Sequence, residues 1–168
     1  MTWTQLDPFS TGDLLTAQHM NDIVGNLEFL AAGNYFVKLP ALAGNYTTTS
    51  TTFVDVDATE WSQAITTSVL ATGVRVTAQM NAYVSANANV IFFDIARDGT
   101  RLGNSSGLAR NGPTVASALP PWHVAALDTG ITPGSEHTYT LQWRVNGSTG
   151  NLQGGAADRP LFTVEEVR

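Results

Sequence analysis

Three histidines, His19, His123 and His137, are the side chains of this sequence whose ordinary pKa lies closest to neutrality. None has a second histidine or a carboxylate beside it at metal-ligand spacing, so neither a metal site nor a cofactor is expected. His19 falls on a helical pattern and is read as solvated, with a place at an assembly axis as the alternative. Asp55 and Asp57 stand two apart in an alternating run. They share one strand face, as a proton-sharing or cation-binding pair would, while Val54 and Val56 take the opposite, core-directed face. With no third carboxylate on that face, both are read as solvated. Asp94, facing away from Phe93 and Ile95, is read the same way, and Asp98 before Gly99 is read as a turn residue.

No Gly-x-Ser-x-Gly elbow is present, and Ser105-Ser106-Gly107 has no histidine nearby in sequence, so nucleophilic catalysis is not expected. Gly147, Gly150, Gly154 and Gly155 lack the strand-to-helix transition of a phosphate cradle and are read as turn and bulge residues. Asn45, Asn104 and Asn146 begin short Asn-x-Ser/Thr matches to which no glycosylation is assigned. Trp122, beside Pro120-Pro121, is either a possible ligand-binding loop residue that stacks on a sugar or a buried loop anchor; the anchor is expected. Glu166 alternates onto the face of Phe162 and Val164. The strand ends before it, a cation such as Arg168 pairs with it, or the register differs; the first is expected.

The elements that position these residues fall into two parts. From Leu14 to Gly33 apolar residues recur at helical spacing, with Thr16 as N-cap, Met20, Ile23, Val24, Leu27 and Leu30 on one stripe, and Gly33 as the stop. Gly25 costs about 1 kcal/mol relative to Ala, so this helix needs a partner, either its own β domain or copies and neighbouring proteins. Trp3 to Asp13 reads as an extended arm whose aromatics, Trp3 and Phe9, seek a pocket on the same chain or on a partner.

After Tyr35 the period changes to two. Strands are expected near Phe36–Leu42, Thr52–Ala58, Ile65–Val69, Gly73–Ala86, Val90–Arg97, His123–Thr129, His137–Val145 and Leu161–Val167. Asp98-Gly99, Pro133-Gly134 and Asn146-Gly147 mark turns, Asn104 to Pro121 a long loop, and Thr47–Thr52 a β edge or turn. Long strands with one apolar face each point to a mostly β fold, an antiparallel jelly-roll-like sandwich behind an N-terminal arm and one amphipathic helix. Residues 1–34 form the attachment and oligomerisation part, residues 35–168 the β domain.

Charged residues make up 13% of the chain against roughly 25% in soluble domains. A surface of Thr, Ser, Asn and Gly, or one shared between subunits, fits that figure. The net charge of −6 and the single lysine, Lys38, argue against nucleic acid as a partner. The lack of cysteine excludes disulfides, and neither a signal peptide nor a membrane span is expected.

The N-terminal residues Trp3-Thr4, Gly12-Asp13-Leu14-Leu15-Thr16-Ala17-Gln18-His19-Met20-Asn21 and Asn26-Leu27-Glu28-Phe29-Leu30 resemble the leader of many tailed-bacteriophage virion proteins and prophage products. That leader carries a Trp, a Gly-x-Leu/Val-Thr-Ala box, an Asn and a closing Asn-Leu-x-x-Leu. Tyr46 to Val56, Phe93 to Gly103 and Thr138 to Val145 resemble the β domain that often follows it. The resemblance implies a virion structural protein with a jelly-roll domain like those of head fibres, decoration proteins and tail-fibre tips, which usually trimerise. It offers no catalytic residues.

The expectation is therefore a non-enzymatic decoration protein or short fibre on the surface of a phage head or tail, assembled in the host cytoplasm. It is a homotrimer, anchored to capsid or tail proteins through Trp3, Phe9 and the helical stripe. The alternative is a host-recognition module whose loops at Asn104–Pro121 and Asn146–Gly155 bind a surface glycan or receptor.

Overall fold

The computed structural model describes residues 18–23, 33–40, 44–110, 119–154 and 160–168. The chain divides into two compact units, Met1–Gly33 and Asn34–Arg168. In the first, residues 18–23 are helical, within the span expected for the helix; the rest of that helix and the arm lie outside the described residues.

The second unit is an antiparallel β-sandwich with twelve strands among its described residues: β1 (Tyr35–Lys38), β2 (Tyr46–Thr48), β3 (Val54–Asp55), β4 (Ser62–Thr66), β5 (Gly73–Val84), β6 (Ile91–Arg97), β7 (Thr100–Arg101), β8 (Ala109–Arg110), β9 (Pro121–Asp128), β10 (Glu136–Val145), β11 (Gly150–Leu152) and β12 (Leu161–Val167). The first sheet is built on β5, which pairs with β9, β12 and β11; β1 ends it beyond β12 and β2 beyond β11. The second is built on the β10–β6 pair, with β4 and β3 along β10 and β7 and β8 along β6.

The period-2 pattern is what closes the core. Val74, Val76, Ala78, Met80, Ala82 and Val84 of β5 meet Tyr139, Leu141, Trp143 and Val145 of β10, and all are buried. Each large apolar side chain so buried contributes about 1.5–3 kcal/mol. Aromatic pairs join the sheets: Phe93 meets Trp122 edge-on at 5.0 Å, and Trp61 meets Phe162 at 6.2 Å. Such contacts add about 0.5–1.5 kcal/mol beyond area.

Each strand expected from the sequence has a counterpart, Leu161–Val167 with the same ends and the others with altered ones. β1 stops at Lys38, two residues before Pro40, whose missing N–H cannot extend a ladder. The Thr52–Ala58 run contains only the two-residue β3. Val54 is 38% exposed rather than core-directed, and Val56 alone packs against the core. Asp57 has left the strand: its Oδ1 accepts from the amides of Thr59 and Glu60 at 2.8 Å each, capping the turn that brings Trp61 inward.

The turn signals hold. Asp98 (φ 49°) and Gly99 (φ 78°) form the two-residue hairpin between β6 and β7, a turn that needs positive φ at both positions. In Thr132 to Ser135 the Ser135 amide reaches the Thr132 carbonyl, with Gly134 at φ 80°. Thr47 and Thr48 belong to the edge strand β2, and a Ser50–Thr52 turn follows. The Asn104–Pro121 segment is not all loop: it contains β8 and an Asn104–Gly107 bridge, while residues 111–118 lie outside the described residues. The Asn146–Gly155 segment contains β11, where Gly150 packs against Val145, Ile91 and Thr48.

Candidate functional site

Strand β6 departs most from its sequence pattern, since Ile91 to Ala96 are all buried, on both faces of the sheet. Asp94, expected to be solvated, is fully buried. The β6–β7 hairpin folds Arg101 back so that its Nη1 meets Asp94 Oδ2 at 3.1 Å, and the Ile95 and Gly103 amides donate to Oδ1. Burial pushes the Asp94 carboxyl above its ordinary range, although these donors oppose it. Gly103 is required here, because a Cβ would lie 2.8 Å from Asp94 Oδ1.

Above this pair the outer face of the second sheet carries a stack of arginine and aromatic groups. Arg144 of β10 lies over Phe92 at 3.7 Å, and Arg101 and Arg144 lie over the Phe53 ring at 4.4 and 5.2 Å. Arg144, Phe92 and Arg110 form one cross-strand row through β10, β6 and β8. Asp55 is exposed and accepts from Gln142 Nε2 at 2.8 Å; it and Asp57 do not form a pair.

A second polar cluster joins the sheets at the far end of β10. Asp128 Oδ2 accepts from the buried Tyr139 hydroxyl at 2.8 Å, and Arg97 Nη1 donates to both carboxylate oxygens at 3.0 and 2.9 Å. Burial, then the Asp128 carboxylate, push the Tyr139 phenol far above its ordinary range, so it serves as a fixed donor. Beside it, His137 Nδ1 lies 2.8 Å from Asp98 Oδ2, and the Thr132 amide donates to Nε2 at 3.2 Å. That donation leaves the proton on Nδ1, which donates to Asp98. Sequence spacing missed this contact because the partners are 39 residues apart.

Glu166 is buried on the core face and β12 runs through it to Val167, so the expectation that the strand ends earlier is wrong. Its Oε1 accepts from the Ser68 hydroxyl at 2.5 Å and Arg168 Nε at 2.6 Å, and its Oε2 from the Ser68 amide and Asn34 Nδ2. Burial works to raise this carboxyl, but the Ser68 and Arg168 donors outweigh it and hold it below its ordinary range. Each of these buried carboxylates has both oxygens occupied by donors of the chain itself. Among the described residues no group of three His, Asp or Glu gathers to hold a metal ion.

Of the residues assigned to assembly, Met20 is 45% exposed and Ile23 half-buried within the helical segment. Trp3, Phe9, Val24, Leu27 and Leu30 lie outside the described residues. Trp122 is on strand β9 rather than in a loop. Its Nε1–H donates to the Ala82 carbonyl at 3.1 Å and its ring packs on Phe93, as an anchor does. His123 is exposed on the same strand.

Sequence reading missed the exposed apolar edge. Strand β1 ends its sheet, yet Tyr35, Phe36 and Val37 are 58%, 37% and 53% exposed, and Leu39 just after it 71%. Alternation puts these side chains on both faces of one edge strand. The signal was available in Tyr35-Phe36-Val37-Lys38-Leu39, which does not alternate.

No protein-family model matches this chain, and no curated protein matches it. Among solved structures it is similar to the VP2 subviral particle of infectious bursal disease virus (12% identity, TM-score 0.45, covering 80% of this chain and 37% of that one). It is similar also to the T=1 particles derived from infectious bursal virus (13%, TM-score 0.44, 81% and 36%) and to the Eiger TNF of S. frugiperda (11%, TM-score 0.39, 81% and 93%). The chain thus spans little more than a third of the length of the bursal virus chains. The chain's own strand pairings define its fold.

Proposed function

We propose that this chain is a non-enzymatic structural component of a tailed-phage virion, a decoration protein or short fibre on the surface of the head or tail. The edge strand β1 carries this reading. Three consecutive large apolar side chains on β1, which ends its sheet among the described residues, with a fourth just beyond, invite pairing. The charge on this strand, Lys38, is turned onto the Thr59 and Ser62 carbonyls and does not guard it. A closed symmetric oligomer covers it, and the expected trimer also buries the Met20 and Ile23 stripe. The leader-like residues from Trp3 to Leu30 support attachment to capsid or tail proteins, and the charged content of 13% suits a surface shared between subunits.

The saturation of Asp94, Asp128 and Glu166 by internal donors suits a structural role, since a general acid or base needs an oxygen within reach of a substrate. Particles purified from the host that encodes this chain test the proposal. The chain should band with the particles at a fixed copy number and be labelled by gold-conjugated antibody on their surface. Its recovery only in the soluble lysate contradicts the proposal.

A further inference from the structure

The outer face of the second sheet has a feature to which the proposed assembly assigns no role. Thr51, Thr52, Phe53, Gly99, Arg101, Gln142 and Arg144 line an open depression of about 430 Å³, within the range of small-ligand sites. On a chain of net charge −6, two of its seven arginines meet over one ring there, and Arg110 stands across Phe92 from Arg144 in the same row.

We propose that this depression binds the carboxylate of an acidic sugar unit, a hexuronic acid or similar ring, independently of where on a particle the chain sits. A planar guanidinium matches a carboxylate with two parallel N–H bonds. Arg144 has five N–H donors and commits one, through Nη2, to the Ser105 carbonyl at 3.3 Å, while its stacking on Phe92 and Phe53 fixes its plane. Arg101 is tied by Nη1 to Asp94 and to the Asn104 carbonyl, so the depression is preorganised before any ligand arrives. Two threonines and a glutamine among the lining residues suit hydroxyl groups rather than an apolar ligand. The depression has room for about one sugar ring, and the chain's net charge of −6 opposes a polyanion such as nucleic acid.

Ligand-observed NMR titration of the full chain with sodium glucuronate, glucose and inorganic phosphate tests the site. Glucuronate should bind saturably in the millimolar range, at least about tenfold more tightly than glucose, the worth of one charge-assisted hydrogen bond, and more tightly than phosphate, which has no sugar hydroxyls for the polar lining. Arg144→Gln should weaken it by about tenfold with the circular dichroism and melting transition of a folded sandwich. Arg144→Lys keeps charge and stem but not the planar fork; it should weaken binding severalfold and decides the matter if the glutamine variant does not fold. Absence of saturable glucuronate binding, equal binding of glucose or phosphate, or glucuronate binding unchanged in a folded Arg144 variant overturns the proposal.

Discussion

The Tyr139 hydroxyl on β10 and the Asp128 carboxylate at the end of β9 meet at 2.8 Å, so a buried hydrogen bond joins Arg97 in tying the second sheet to the first at one end of the sandwich. Both residues are buried and Arg97 holds the same carboxylate, so the contact has little access to water. Tyr139→Phe keeps the ring and removes the bond, leaving Asp128 with its Arg97 and Gly130 donors. The expected cost is about 1.5–3 kcal/mol, as for a hydrogen bond to a charged group, read from the urea midpoint at unchanged slope.

Acid should destabilise the fold through Glu166 and Asp98. Both carboxyls are held below their ordinary values of 4.5 and 3.8. The unfolded chain therefore binds protons first as pH falls. Their contribution is complete above the ordinary carboxylate range and is lost as pH drops through the folded pKa values. Asp94, raised by burial, acts in the opposite sense, and stability falls as pH rises through its range. Urea unfolding at pH 7 and pH 3 checks the balance: Glu166→Gln should cost about 2 kcal/mol at pH 7 and clearly less at pH 3.

Removing Arg101 should cost more than its exposure suggests. Arg101→Leu leaves the buried Asp94 carboxylate without a counter-charge, at a cost of about 3 kcal/mol. Asp94→Asn combined with Arg101→Leu should cost less than the sum of the single changes, with a coupling of about 1–3 kcal/mol in a double-mutant cycle. Strict additivity shows that the pair does not interact.

The long strands were legible because one period ran without a break through eleven residues from Val74 to Val84 and through seven from Tyr139 to Val145. The two- and three-residue strands β2, β3, β7, β8 and β11 are too short to show a period and exist because a longer neighbour offers free backbone groups. Asp94 was misread because alternation says which way a side chain points but not what covers it. Its cover comes from Arg101 and Gly103, across a turn. Glu166 was placed on the right face, but its strand was ended too early because Ser68, 98 residues away, supplies half of its donors. The Phe53, Phe92, Arg101 and Arg144 stack draws on separate segments and no spacing rule joins them.

Charge placed on the β1 edge should interrupt assembly without disturbing the core. Val37 is exposed, so Val37→Lys should leave the melting transition of the sandwich within about 0.5 kcal/mol of stability while shifting the chain toward smaller species. Gel filtration with light scattering reads the shift, and an unchanged mass removes β1 from the interface.

Sedimentation equilibrium of the intact chain addresses self-assembly most directly. The expected mass is three times that of the 17.9 kDa chain, falling to the single-chain value when residues 1–33 are deleted and the sandwich stays folded. A single-chain mass for the intact protein at every concentration contradicts the account, and a trimer that survives the deletion contradicts the role given to the helix.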